Sequence, residues 1–317
     1  MPKLIPTSVN SMMDLKKSNS DPEHSRLIVI AGPTAVGKTA ISIRLAQYLN
    51  TEILSADSRQ FYRELKIGVA APSETELNTV PHHFIGNLSI HDYYNVSRYE
   101  TDALALLDRL FLTKTQLLMV GGSGLYINAV CHGIDELPDP DPDLRKELQS
   151  NEIEELRNKL KLLDPEYYAI VDLANPTRLI RAIEVYLQTG KPYSSLRNGI
   201  PKPRNFNILK IGLSRERAEL NQIIGLRVDQ MIEQGLLEEA RSLYPLRHHN
   251  ALNTVGYKEL FEYFDGKITL EQAITDIKTH TRRYAKRQMT WFMRDKEIHW
   301  FHPDDIDQIK QLIIAGS

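Results

Sequence analysis

The densest chemical signal in the chain is Gly32-Pro33-Thr34-Ala35-Val36-Gly37-Lys38-Thr39. Its spacing is G-x-x-x-x-G-K-[ST], that of a phosphate-binding loop. Glycines let successive backbone N–H groups converge on one anion, and the N-terminus of the following helix adds partial positive charge. Lys38 supplies a full charge, and the Thr39 hydroxyl is the expected ligand of a Mg²⁺ ion. Asp57, at the end of the next apolar run, is the most informative residue outside this loop. It has three readings of equal weight: a helix N-cap, a metal ligand beside the phosphates, or a general base for a nucleophile lying over them. Arg227 can reach a leaving diphosphate, or it can sit on a solvated helix face. Adjacent His82 and His83 would point to opposite faces of a strand and cannot chelate one ion together.

A second group of residues suits nucleic acid. Between Lys278 and Lys296 lie Arg282, Arg283, Lys286, Arg287 and Arg294, opposed only by Asp295. Helical spacing puts Arg283, Arg287 and Arg294 on one face, with Tyr284 and Trp291 on another as packing behind it. A basic face of that kind binds a phosphate backbone. Arg178 and Arg181 are three apart on a predicted helix, which suits a backbone phosphate and equally a solvated face.

These residues need elements to hold them. Leu27–Ala31 and Ile208–Leu213 read as buried strands, as does Gln116–Val120, which runs into Gly121-Gly122-Ser123-Gly124-Leu125-Tyr126. Thr51–Ala56 reads as a strand ending at Asp57. Helical periodicity runs through Ser97–Leu112, 216–234, 236–243, 256–264 and 270–294. Alternating strands and helices predict an α/β fold, a P-loop NTPase-like parallel sheet flanked by helices. Three prolines within Leu137–Pro142 break the pattern. Residues 137–205 are therefore expected to form a helical insertion, with 26–136 and 206–317 as the catalytic core and 1–25 as a disordered leader.

The chain has 317 residues, a formal net charge of −2 and 42% hydrophobic residues. Nucleic-acid binding must then rely on local patches rather than total charge. No apolar run approaches the ~20 residues of a membrane span. The single Cys131 excludes an internal disulfide framework and fits a reducing cytoplasm.

Taken in order, the motifs resemble the tRNA dimethylallyltransferase family, also called tRNA isopentenyltransferases. The matching stretches are Gly32–Thr39, Ser55–Tyr62, Gly68–Ser73, His82-His83, Gly121–Tyr126, Pro176–Ala182, Val255–Glu259 and Arg282–Phe292. The resemblance implies transfer of a dimethylallyl group from dimethylallyl diphosphate to N6 of the adenine 3′ of the anticodon, in tRNAs reading codons that begin with U. It implies that Gly32–Thr39 holds the diphosphate with Mg²⁺, that Asp57 is the base, and that Thr39 and Arg227 assist departure of diphosphate. It assigns tRNA contacts to Asp57, Ser58, Arg59, Gln60, Ser123, Arg145, Thr177, Arg178, Leu179, Ile180, Arg181, Asn253 and Lys258, and it makes the insertion the grip on the anticodon stem-loop. Asn253 stands where many relatives carry a basic residue, and Ser123 where a threonine is common. Lacking the zinc finger of longer eukaryotic relatives, the chain resembles the bacterial form, and a cytoplasmic monomer is expected. The alternative is a nucleotide or small-metabolite kinase, because a P-loop with a nearby carboxylate also serves phosphoryl transfer.

Overall fold

A computed structural model describes residues 25–315. The expected leader therefore lies outside the described residues except for Ser25, which is buried and accepts a hydrogen bond from Asn207 N at 2.8 Å. The chain divides into two compact units. One is His132–Pro203; the other comprises the described residues on either side of it.

In the larger unit, six strands among the described residues form one parallel sheet. They are β1 (Arg26–Ala31), β2 (Ile53–Ser55), β3 (His82–His83), β4 (Gln116–Gly121), β5 (Asn207–Leu213) and β6 (His299–Phe301), in the spatial order β3-β2-β4-β1-β5-β6. β1 is central, between β4 and β5, and its last residue Ala31 pairs with both Gly121 and Gly212. The strand ends are thus level, and the loops leaving β1, β2 and β4 open on one edge of the sheet, where parallel α/β sheets bind ligands. β1 has no polar face because both of its faces are covered. Leu27, Val29 and Ala31 pack into one core cluster and Ile28 and Ile30 into another. Each large apolar side chain so buried contributes roughly 1.5–3 kcal/mol.

The helices of this unit that matter for the site are α1 (Lys38–Leu49), α2 (Glu74–Thr79), α3 (Val96–Leu110), α4 (Gly124–His132), α10 (Arg217–Glu233), α11 (Leu236–Leu243), α12 (Tyr257–Phe264), α13 (Leu270–Phe292) and α14 (Ile306–Ala315). Their start signals are local. Ser73 and Glu76 form a capping box on α2, while Asn95 caps α3 and Thr269 caps α13 through side-chain oxygens.

The smaller unit is helical: α5 (Pro142–Gln149), α6 (Ile153–Leu163), α7 (Pro165–Ile170), α8 (Pro176–Thr189) and α9 (Tyr193–Leu196). Proline occupies the first turn of α5, α7 and α8, and α8 stops at Gly190 in the left-handed conformation. Leu148, Leu156, Leu160, Leu179 and Ile183 make its core. Beside that core, Glu184 is fully buried and accepts from Arg145 at 2.6 Å, Arg181 at 2.9 Å and Asp141 N at 3.1 Å. A buried carboxylate needs such partners.

Two expectations change. The last long helix ends at Phe292, not at 294; Arg294 lies in the following turn, its N–H bonded to Trp291 O. Tyr284 and Trp291 are 37% and 39% exposed, so they are not a buried backing for the basic face, although Arg287 Cζ lies over the Tyr284 ring at 5.7 Å from its centroid. The two edge strands β3 and β6 are three residues or fewer, too short for an alternating pattern to register.

Candidate active site

The loop after β1 is shaped by its glycines. At Gly32, φ is +152° and a Cβ would fall 2.7 Å from Leu213 O on the neighbouring strand. No larger residue fits that approach. Gly37 caps α1 in the left-handed conformation, so the helix begins at Lys38 and its first amides face the loop. Lys38 Nζ donates to the loop's own carbonyls, Gly32 O at 3.0 Å and Pro33 O at 2.8 Å. Burial pulls the Lys38 ammonium down to about 8; the nearby Asp57 carboxylate opposes this and the Arg227 guanidinium adds to it.

Asp57 leaves β2 into the same cleft. Its Oδ1 accepts from Arg59 N at 3.0 Å, which fixes the turn. The cleft holding Thr34, Lys38, Thr39, Asp57, Glu76, Arg227 and Tyr284 has a volume of about 510 Å³. Arg227, on α10, reaches Thr34 Oγ1 at 3.5 Å. Its burial lowers its pKa, while Asp57 and Glu76 raise it. Two cations, a carboxylate and a helix N-terminus thus converge on one space. That arrangement can hold a polyphosphate and place a base beside it.

The space extends on both sides. Toward Asn253, Gly256, Lys258 and Arg287 lies a cavity of about 470 Å³ that still includes Asp57 and Arg227. In another direction a chamber of about 890 Å³ carries the apolar side chains of Leu65, Ile67, Leu77, Ile85 and Met231, and it shares Thr39, Gln60 and Arg227 with the central cleft.

The other expected site residues fall into distinct places. Ser58 N donates to Ser123 Oγ at 3.2 Å, so the turns after β2 and β4 touch. Arg59 Nη1 donates to Asn250 O at 2.8 Å and Ala251 O at 3.2 Å, pinning the loop that precedes Asn253. Gln60 accepts from Ser55 Oγ at 3.1 Å and donates to Ala70 O at 3.1 Å. Asn253, Lys258, Arg282, Arg283 and Arg287 are exposed in the larger unit, as are Thr177 and Arg178 in the helical unit. Leu179 and Ile180, expected among the tRNA contacts, are instead 0% and 7% exposed and belong to the core of the helical unit. Their apolar side chains are committed to packing. Arg145 and Arg181 are turned toward Glu184, and Arg181 also donates to Pro138 O at 2.7 Å, so Arg181 does not share an open face with Arg178.

One residue that sequence reasoning passed over ties the site together. Gln288 of α13 is buried; its Oε1 accepts from Thr34 N at 2.9 Å and its Nε2 donates to Gly122 O at 2.9 Å. A Cβ on Gly122 would lie 2.3 Å from that Nε2. Tyr284, one turn earlier, reaches Ser123; desolvation in the cleft, and then the nearby Asp57 carboxylate, push its phenol up to about 12. The signal was present: 284, 288 and 291 share one helical face, and Trp291 lies against Gly124.

A family model described as IPP transferase matches residues 60–295. The chain belongs to that family. Similar curated relatives include tRNA dimethylallyltransferase 2 of Azobacteroides pseudotrichonymphae, 54% identical over 90% of this chain and 94% of the relative. Another is tRNA dimethylallyltransferase 1 of Bacteroides fragilis, 52% identical over 92% and 98%. Among solved structures, the full-length tRNA isopentenylpyrophosphate transferase of Bacillus halodurans is 37% identical, with a TM-score of 0.68, over 92% of this chain and 96% of that one. A eukaryotic dimethylallyltransferase, described as acting on tRNA, is 27% identical with a TM-score of 0.75, covering 90% of this chain and 75% of that one. The parallel sheet with its P-loop at the central strand is the fold shared with these structures. Among the described residues no helix is long and apolar enough to cross a membrane.

Proposed function

We propose that the chain is a tRNA dimethylallyltransferase. It moves a dimethylallyl group from dimethylallyl diphosphate to N6 of the adenine 3′ of the anticodon, in tRNAs reading codons that begin with U, and releases diphosphate. One observation supports this most directly. A carboxylate at the end of β2 faces the same cleft as the Gly32–Thr39 loop, flanked by Lys38 and Arg227. The names of the relatives give the acceptor and the group transferred.

The allylic C–O bond breaks as negative charge builds on the diphosphate. Lys38, Arg227 and the amides at the start of α1 stabilise that charge. The adenine amine is a weak nucleophile; Asp57 accepts its proton as nitrogen attacks the allylic carbon. The adenine has to leave its stack to come within reach. Oxygen donors facing the cleft, Thr39 Oγ1 with the carboxylates of Asp57 and Glu76, suit a hard divalent ion. Thr39 is the residue that would hold Mg²⁺, and the ion would supply further charge neutralisation on the leaving group.

In the larger unit the exposed Arg282, Arg283 and Arg287 and the Asn253–Lys258 loop bind tRNA; the helical unit, by itself, grips the anticodon stem-loop, where exposed Arg178 suits a backbone phosphate. The enzyme acts in the cytoplasm, in keeping with a tRNA acceptor and a lone, buried thiol, and the reading takes it to act as a monomer. The names of the relatives do not favour the kinase alternative. Incubating the protein and tRNA with ATP or with dimethylallyl diphosphate tests the assignment. Isopentenyl-adenosine in digested tRNA, from the second donor only, is the expected result; a phosphorylated product from ATP would overturn it.

A further inference from the structure

We infer that Glu239 is a positioning residue of this reaction, its carboxylate holding the cleft wall 66–70 against the start of α12. The inference rests on the transferase reading above. Glu239 projects from α11. Its Oε2 accepts from Lys66 N at 3.2 Å and Ile67 N at 2.9 Å, and its Oε1 from Gly68 N at 2.9 Å and from the Tyr257 hydroxyl at 2.6 Å. Three successive amides aimed at one point form an anion-binding nest, here filled by the protein's own charge. Hydrogen bonds to an ionised acceptor are the stronger kind.

What the nest holds is the wall of the site. Ala70 N and Ala71 N close the turn onto Ile67 O and Lys66 O, both at 2.9 Å. Val69 and Ala70 line the cleft with Asp57 and Arg227. Gln60 spans from the Asp57 turn to Ala70 O at 3.1 Å. On the opposite side, Tyr257 is fully buried, and its ring leaves no room for a Cβ on Gly68, 2.6 Å away. Tyr257 directly follows the 253–256 loop that borders the same cavity. One carboxylate therefore fixes the wall beside the base relative to the loop on the acceptor side. It also keeps three N–H groups from forming a rival anion site next to a cleft built for diphosphate.

The test is steady-state kinetics of Glu239→Gln and Tyr257→Phe on intact tRNA, with folded fraction measured by circular dichroism. Glutamine keeps the shape but presents an NH2 group to amide donors. Glu239→Gln is expected to lower kcat/KM for the prenyl donor at least tenfold per folded molecule, and Tyr257→Phe about threefold. Activity of Glu239→Ala should recover with acetate and not with chloride at equal ionic strength. Wild-type kcat and KM for both substrates in Glu239→Gln overturn the inference, whatever happens to stability; should that variant not fold, Tyr257→Phe decides by the same criterion. Equal recovery with chloride also overturns it. A wild-type protein that leaves tRNA unmodified refutes the transferase reading instead, so the two failures are distinguishable.

Discussion

Replacing Gln288 with leucine tests how the site is held together. The side chain is 7% exposed and makes two hydrogen bonds of 2.9 Å, accepting from Thr34 N in the phosphate loop and donating to Gly122 O in the turn after β4. Leucine is close in volume, so packing changes little, but a buried acceptor, Gly122 O, and a part-buried donor, Thr34 N at the cleft, lose their partners. The unpartnered Gly122 O costs about 1–3 kcal/mol, and Thr34 N adds less because water in the cleft can reach it, so Gln288→Leu should lose about 1–4 kcal/mol. That is a large share of a typical domain stability of about 5–15 kcal/mol. Because the freed amide belongs to the diphosphate cradle, the loss should appear in donor binding as well as in unfolding. Urea denaturation gives the first quantity and calorimetric titration with dimethylallyl diphosphate the second. Gln288→Glu keeps an acceptor for Thr34 N, loses the donor to Gly122 O and brings negative charge toward the phosphates; it should bind donor more weakly still. A stability loss below about 0.5 kcal/mol together with unchanged donor affinity in Gln288→Leu would refute the reasoning.

Three further outcomes are expected. Asp57→Ala should lower single-turnover prenylation by about 10²–10⁴ with little change in tRNA affinity; near-normal turnover would leave Asp57 only its turn-forming role. Burial holds Lys38 down to about 8 in the folded chain, against 10.5 for an ordinary lysine. Its charge is therefore complete below pH 7 and lost as pH rises through 8. Donor dissociation constants measured across pH 7 to 10 should be flat at first, then increase by up to about tenfold per pH unit, and Lys38→Ala should be weak and lack that rise. The depressed pKa also means that the cost of burying this charge is relieved at alkaline pH, so the folding stability contributed at this position increases between pH 8 and 10.5. Substituting Arg283 and Arg287 together should weaken tRNA binding more at low than at high salt; a filter-binding salt series with unchanged slope would assign both to structure.

Much of this architecture is written in local pattern. The apolar run Leu27–Ala31, the glycine loop and the first periodic helix give β1, the cradle and α1 directly, because each signal is short-range and strong. The glycine turn after β4 and the prolines before α5 are likewise legible. What could not be read depends on contacts between distant segments. Gln288 looks like one more polar residue in a basic helix until Thr34 and Gly122, 254 and 166 residues away, are brought to it. Arg59 reads as an RNA contact, yet it binds carbonyls of residues 250 and 251. Leu179 and Ile180 sit beside Arg178 in the motif, but a helix turns its apolar positions inward regardless of what its neighbours contact. Helical spacing puts Tyr284 and Trp291 on one face but does not say what that face meets: the cleft takes Tyr284, which still touches Arg287, and the close approach of Gly124 takes Trp291.

The way Lys38 rests on the carbonyls of Gly32 and Pro33 carries its own consequence. Two of its three ammonium hydrogens are already engaged by backbone oxygens, so one is left to meet an incoming anion while the other two hold the lysine to the loop. A pyrophosphoryl group, with more charge and more oxygens than a singly charged ion, is the better match for the lysine and the loop amides together. The cradle is in this sense self-latched: its own carbonyls hold the lysine until a ligand offers it oxygens in their place.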